Sequence, residues 1–225
     1  MQAQRLYLFT PLLNDPAAFL PDLDAALDAG DVAAVLLRLA PADERTLIAR
    51  AKTVAAAVQR RDVAVLFDGH ADLVARSGAD GAHLTGVDAF AAALALLKPE
   101  RIAGAGGLRS RHDAMLAGET GADYVMFGEP FSPPSRAGDD KSDDKSGGRR
   151  PSLEETLDRL EWWAHLVEIP CVGYAASLDE VAALAQTGAD FIALGDWIWT
   201  EPQATGQATG KGAAAAVAAA AEHLA

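Results

Sequence analysis

Seven side chains able to do chemistry stand at or near the ends of short apolar runs. Arg38 lies within VAAVLLRL, Asp68 closes AVLFD, His83 is inside GAHL, and Glu129 follows YVMFG. His70 follows Asp68-Gly69, Asp88 follows the GAHL run, and Arg136 lies beyond Glu129. A guanidinium such as Arg38 or Arg136 holds an anion through a fixed fork of donors. Asp68 and Asp88 are carboxylates of the kind that hold a hard cation; alternatively, Asp68 caps a short helix and Asp88 is a solvent-facing first-turn acid. Glu129, His70 and His83 can move protons. Equally, His83 can be a histidine hydrogen-bonded inside the core, and Glu129 a partner for Arg38 or Arg136. The candidate catalytic set is Arg38, Glu129 and His70.

The elements that must position these groups are announced by a repeat. A Gly/Ala/Asp tripeptide precedes an apolar run four times: Ala29-Gly30-Asp31, Gly78-Ala79-Asp80, Gly121-Ala122-Asp123 and Gly188-Ala189-Asp190. The aspartates are spaced by 49, 43 and 67 residues. The last interval contains a polar insert over Pro133–Pro151, and without it the spacing returns to about 45, which suits two successive strand–helix units. Each Gly is expected to end a helix in the left-handed conformation, and each Asp to lead into a buried parallel strand. The intervening strands are expected at Leu6–Thr10, Val63–Phe67, Arg101–Gly104 and Cys171–Tyr174, which makes eight. Helical spacing covers Ala17–Asp28, Asp43–Arg60, Asp88–Leu97, Arg109–Glu119, Ser152–Val167, Ser177–Thr187 and a closing Ala213–Ala225 after a linker at Gln203–Gly212. Ser152 with Glu155, and Ser177 with Glu180, read as capping boxes. Strict alternation with internal similarity points to a single (β/α)₈ TIM barrel, an α/β fold whose functional groups gather at the C-terminal strand ends. No glycine fingerprint follows the first strand, which argues against an open dinucleotide-binding sheet.

The low-complexity segment Ser135–Arg150, with DDKS twice in tandem, follows the sixth strand on that same face. It is either a solvated insert or a lid whose Arg149 and Arg150 close over an anionic ligand. Across 225 residues the formal net charge is −13, so nucleic acid and anionic membranes are poor partners, although a small phosphorylated ligand remains compatible. The apolar stretch Leu6–Leu13 is broken by Thr10 and Pro11 and is too short for a signal or a membrane span. A cytoplasmic protein is expected. Cys171, the single cysteine, lies in an apolar run and reads as a packed thiol. One of Trp162 and Trp163 is expected to pack on the barrel, whereas Trp197 and Trp199 could wall an aromatic-ring pocket.

Three blocks, VLFDGHADLVARSGADGAHL (65–84), GADYVMFGEPF (121–131) and IPCVGYAASLDEVAALAQTGAD (169–190), resemble the thiamine phosphate synthase/TenI family. That resemblance implies a barrel joining a hydroxymethylpyrimidine pyrophosphate to a thiazole phosphate with magnesium, in thiamine biosynthesis. Of the family's Q-x-R-x-K after the second strand, Arg38 matches, while Leu36 and Ala40 stand at the glutamine and lysine. Asp68 lies at or beside the magnesium-binding Asp of the third strand, and Asp88 matches the second magnesium carboxylate. Gly106 replaces the pyrophosphate-contacting serine after strand five, and Leu108 the histidine that TenI-type members use for proton transfer. The T-x-T-K after strand six becomes Pro133-Pro134-Ser135-Arg136, retaining a hydroxyl and a cation. Ala175-Ala176 replace the glycine pair whose amides approach the thiazole phosphate, Glu129 replaces a proline, and Asp196 falls near a serine after strand eight. A carboxylate at that last position is expected to repel phosphate.

The substrate-binding set implied is Arg38, Asp68, His83, Ser135 and Arg136, with magnesium on Asp68 and Asp88. Three functions are then open: a synthase of thiamine metabolism, a non-catalytic barrel that binds a thiamine precursor, or an acid–base isomerase or lyase using Glu129, His70 and Asp68.

Overall fold

The computed structural model describes residues 3–130, 150–200 and 211–224. Within them, eight parallel strands pair in chain order and close on themselves: β1 (Arg5–Phe9), β2 (Val32–Leu37), β3 (Ala64–Asp68), β4 (Gly81–Thr85), β5 (Ile102–Gly106), β6 (Tyr124–Phe127), β7 (Cys171–Ala175) and β8 (Phe191–Leu194). The seam joins β1 to β8, running from Arg5 opposite Phe191 to Leu8 opposite Leu194. Each strand lies within two residues of its expected bounds. The helices are α1 (Pro16–Asp28), α2 (Glu44–Val58), α3 (Val74–Ser77), α4 (Val87–Leu97), α5 (Arg111–Thr120), α6 (Leu153–Leu166), α7 (Leu178–Ala185) and α8 (Lys211–Glu222). Ser135, Arg136 and Arg149 lie outside the described residues, as do the rest of the insert up to 149 and most of the linker expected at 203–212. Among the described residues no helix is long and apolar enough to cross a membrane.

Alternation along the strands divides the core in two. Outward-facing residues such as Leu8, Val35, Val65, Phe127 and Ile192 pack under the helices. The barrel interior holds Tyr7, Phe9, Leu36, Leu66, Tyr124, Met126, Val172, Tyr174 and Ala193. So large an aromatic filling fits only because glycines face it. A Cβ on Gly104 would lie 2.1 Å from the Tyr124 ring, and one on Gly195 would lie 2.1 Å from the Tyr174 hydroxyl. Trp163 is the tryptophan fully buried against the barrel, its Nε1 donating to Ile169 O at 2.8 Å. Burial pushes the Cys171 thiol up to about 12, as befits a packed rather than reactive cysteine.

The repeated tripeptide has a mechanical explanation. Gly78, Gly121 and Gly188 take positive φ, and the alanines after them are buried. The three aspartates each grip one residue of the preceding strand twice. Asp80 N–H donates to Val65 O at 2.8 Å, while its carboxylate accepts from Val65 N–H at 2.7 Å. Asp123 does the same with Ala103, at 2.9 and 2.7 Å, and Asp190 with Cys171, at 3.0 and 2.8 Å. The first copy departs from the expectation, because Gly30 is not left-handed. Its smallness serves packing instead, since a Cβ there would come 3.0 Å from Val217 on α8. Asp31 correspondingly holds the Arg5 side chain at 2.8 Å rather than a strand amide.

Two helix starts also need correction or addition. The Ser152–Glu155 capping box forms, but Ser177 makes no side-chain cap, and the Glu180 carboxylate that would complete the box is engaged elsewhere, as described below. An unforeseen box, Ser110 with Asp113, opens α5. Replacing Asp80, Asp123 or Asp190 by Ala strands a strand amide, so each should cost about 1–2 kcal/mol in urea unfolding. Asp31→Ala removes an exposed ion pair and should cost under about 1 kcal/mol.

Candidate active site

A cavity of about 220 Å³ opens at the C-terminal ends of the strands, lined by Phe9, Leu36, Arg38, Asp68, His83, Thr85, Glu129, Pro130, Tyr174, Ala176, Asp196 and Trp197. Its apolar lining includes three aromatic side chains, Phe9, Tyr174 and Trp197. Phe9 and Tyr174 meet edge to face at 5.2 Å, and Trp197 is fixed by its Nε1 donating to Ala175 O at 2.9 Å. Trp199 does not line the cavity; it packs on Phe19 and donates to Phe9 O at 2.6 Å.

Four of the candidate residues converge here. Arg38 follows β2, where its N–H donates to the buried Thr10 hydroxyl at 2.9 Å. Its guanidinium reaches Asp196 Oδ1 at 2.5 Å and approaches Asp68 Oδ2 at 3.6 Å. Asp196, expected to repel phosphate, thus has a definite partner in Arg38. Asp68 ends β3 and is not a helix cap, since neither the turn at 71–73 nor α3 has a side-chain cap.

His83 and Glu129 form the buried side of the cavity. His83 Nδ1 shares a hydrogen bond of 2.9 Å with Tyr124 Oη, which in turn shares one of 3.1 Å with Tyr7 Oη. Burial raises both phenols well above their ordinary range, and Asp68 and Glu129 push the same way, so both stay neutral. His83 Nε2 faces Glu129 Oε1 at 3.7 Å. Glu129 Oε1 accepts from Gly107 N–H; that amide and His83, rather than Arg38, are its neighbours among the described residues. The Tyr7–Tyr124–His83 column was not foreseen. Its signal lay in the inward alternation of Tyr7 and Phe9 and in Gly104 opposite Tyr124.

His70 and Asp88 do not line the cavity. His70 is exposed with φ 42°, its ring 6.0 Å from Phe67. Asp88 is an exposed acid in the first turn of α4. Among the described residues no group of three or more His, Cys, Asp or Glu could hold a metal by itself.

A second arrangement borders the cavity after β7. Arg150 donates to Gly128 O at 2.7 Å and Tyr174 O at 3.0 Å, and forks onto both oxygens of Glu180 at 2.8 and 2.6 Å. Glu180 Oε2 also accepts from Ala176 N–H at 2.8 Å. Arg150 is therefore bound to the barrel and not turned toward a ligand. The Ala176 amide, at the position where the family resemblance places the phosphate, already carries a carboxylate.

The fold and the cavity define a class: a (β/α)₈ barrel with an acid-rich site at its strand ends. The family model described as thiamine monophosphate synthase matches residues 6–198. The chain belongs to that family. It is 41% identical over 200 residues to the thiamine-phosphate synthase of Rhodospirillum centenum, covering 88% of this chain and 90% of that protein. It is 38% identical over 202 residues to that of Hyphomonas neptunium, covering 87% and 86%. In fold it is similar to the thiamine phosphate pyrophosphorylase of Pyrococcus furiosus, with a TM-score of 0.71 and 22% identity over 98% of this chain and 95% of that one.

Partial burial works against the charge on Glu180, but the bonds from Arg150 and the Ala176 amide outweigh it and hold its carboxyl below 4.5. Such a group stabilises the fold above its unfolded value, and the contribution is lost as pH falls through the folded one. Glu180→Gln should therefore be less stable than the wild type at pH 7. That difference should shrink as the pH is lowered below 4.5, followed by urea unfolding at a series of pH values.

Proposed function

We propose that this protein acts as a thiamine phosphate synthase-type transferase at the open end of its barrel. In the reaction, the thiazole nitrogen attacks the methylene carbon of hydroxymethylpyrimidine pyrophosphate. A C–N bond forms, a C–O bond breaks, and pyrophosphate leaves with the bonding pair. The observation that carries this reading is convergence: Arg38 and His83, which match the family's motif positions, and Asp68, at or beside one, line a single cavity with aromatic side chains in its wall. Family membership over residues 6–198 supports it.

Arg38 is the cation placed to hold the departing pyrophosphate, and Phe9, Tyr174 and Trp197 flank the ring. Among the described residues the cavity is lined by three carboxylates, Asp68, Glu129 and Asp196, and by one guanidinium, that of Arg38, so an anionic substrate calls for added counter-charge. One or two protein carboxylates plus substrate phosphates are enough for magnesium. Of the two expected carboxylates only Asp68 lines the cavity; it would hold the ion together with the substrate phosphates, and the ion would supply counter-charge for the departing pyrophosphate, whereas Asp88 stands outside the cavity. Ser135 and Arg136, the hydroxyl and cation that the family resemblance implies, lie outside the described residues. The fit to a small phosphorylated heterocycle in the cytoplasm follows from the same reading.

A second reading, a barrel that binds the precursor without turnover, is favoured by the Arg38–Asp196 contact at 2.5 Å and by Glu180 on the Ala176 amide. Purified protein with both substrates and magnesium distinguishes the two: synthase function predicts thiamine phosphate, and binding without product supports the alternative. If turnover occurs, Arg38→Ala should lower kcat/KM by about a hundredfold, the worth of a charge-assisted bond to the leaving group. Asp196→Ser should free Arg38 and lower KM for the pyrophosphate substrate by about tenfold.

A further inference from the structure

The buried side of the cavity carries two polar atoms with nothing to bond. Among the described residues, His83 Nε2 and Glu129 Oε2 are the buried side-chain atoms lacking a hydrogen-bond partner. Both residues line the same cavity, and both are nearly sealed from solvent at 2% and 5% exposure. Native interiors rarely leave such atoms unpaired unless a ligand or water meets them.

Glu129 can occupy this place only because Gly106 has no side chain. A Cβ on Gly106 would lie 2.0 Å from Glu129 Oε1 and 2.3 Å from His83 Nε2. The two residues are thus a coupled pair: the carboxylate extends from just beyond β6 into the volume that a side chain at the end of β5 would fill. Gly107 N–H then fixes Oε1, and Oε2 remains available. A carboxylate oxygen only accepts, so whatever meets Oε2 must donate a hydrogen bond. His83 is tied at Nδ1 to Tyr124, and its other nitrogen faces the same space. Between aromatic walls, these groups form a polar edge for a flat ligand.

We propose that Glu129, seated in the room left by Gly106, is a specificity-determining residue for a nitrogen heterocycle bearing an exocyclic amine beside a ring nitrogen. The amine donates to Glu129 Oε2 while the ring nitrogen meets His83 Nε2. This rests on the reading of the cavity as a heteroaromatic site, but not on turnover. It also gives the excess of acid in the cavity a use, since a carboxylate favours an amine-bearing ring over a neutral one.

The test is calorimetry on the full chain, without magnesium or phosphate, using the unphosphorylated aminopyrimidine alcohol and its deamino analogue, in which hydrogen replaces the amine. The wild type should prefer the amine by about tenfold to a hundredfold, the value of one buried bond to a charged acceptor. Glu129→Gln should reduce that preference. Gly106→Ser should reduce it too, although Glu129 is still present, because the new side chain displaces the carboxylate; circular dichroism confirms that each variant is folded. If the wild type binds both rings equally, or if the folded variants keep its preference, Glu129 is not the selector, while the heteroaromatic site itself stands. If neither ring binds, both the site and the selector are overturned.

Discussion

A closed cylinder of eight strands has an interior of fixed volume, and every large side chain inside it must be matched by a missing one. This exchange governs the molecule. Tyr124 lies against Gly104, Tyr174 against Gly195, and the Glu129 carboxylate against Gly106. The phenols so admitted form the hydrogen-bonded column Tyr7–Tyr124–His83, which brings a buried, oriented imidazole to the cavity. The same rule sets the size and shape of the cavity, because it is the space that the aromatic filling leaves at the strand ends.

Charge is the second determinant, and here internal carboxylates stand at positions that the family resemblance assigns to phosphate. Asp196 takes the Arg38 guanidinium, and Glu180 takes the Ala176 amide. The two contacts differ in strength. Asp196 is about half exposed, so water screens its hold on Arg38 and exchange for a ligand costs little. Glu180 is more enclosed and is bound by a bidentate guanidinium as well as an amide, so phosphate would have to displace three donor bonds at once. A ligand anion therefore competes far more easily at Arg38 than at the end of β7.

The fold was legible because its signals are local. Gly78, Gly121 and Gly188 end helices, and the aspartates beside them grip a strand already next to them in the barrel, so a three-residue word recurs wherever that geometry does. Gly30 shares the word without the geometry, because α8 packs on it and demands smallness instead. The convergence of Arg38, Asp68, His83 and Glu129 followed from their strand-end positions. Their partners did not: Arg38 and Asp196 are separated by 158 residues, and no local pattern links them. Ser177-Leu-Asp-Glu180 reads as a capping box, yet an arginine 30 residues upstream claims the glutamate. Gly106 and Glu129 are each visible as departures from the family pattern, but only the adjacency of β5 and β6 makes them one substitution.

Arg150 has a consequence for how the chain tolerates change. It is tied to the carbonyl of Gly128 just after β6, to that of Tyr174 on β7 and to α7 through Glu180, immediately before Ser152 caps α6. The start of α6 is thus fixed locally, by bonds from Arg150 to Gly128, to β7 and to α7. A change in the number of residues between 131 and 149 leaves those bonds, and with them the start of α6, with the same partners. Duplication of a short word such as DDKS can then accumulate at that site with little effect on the barrel's stability.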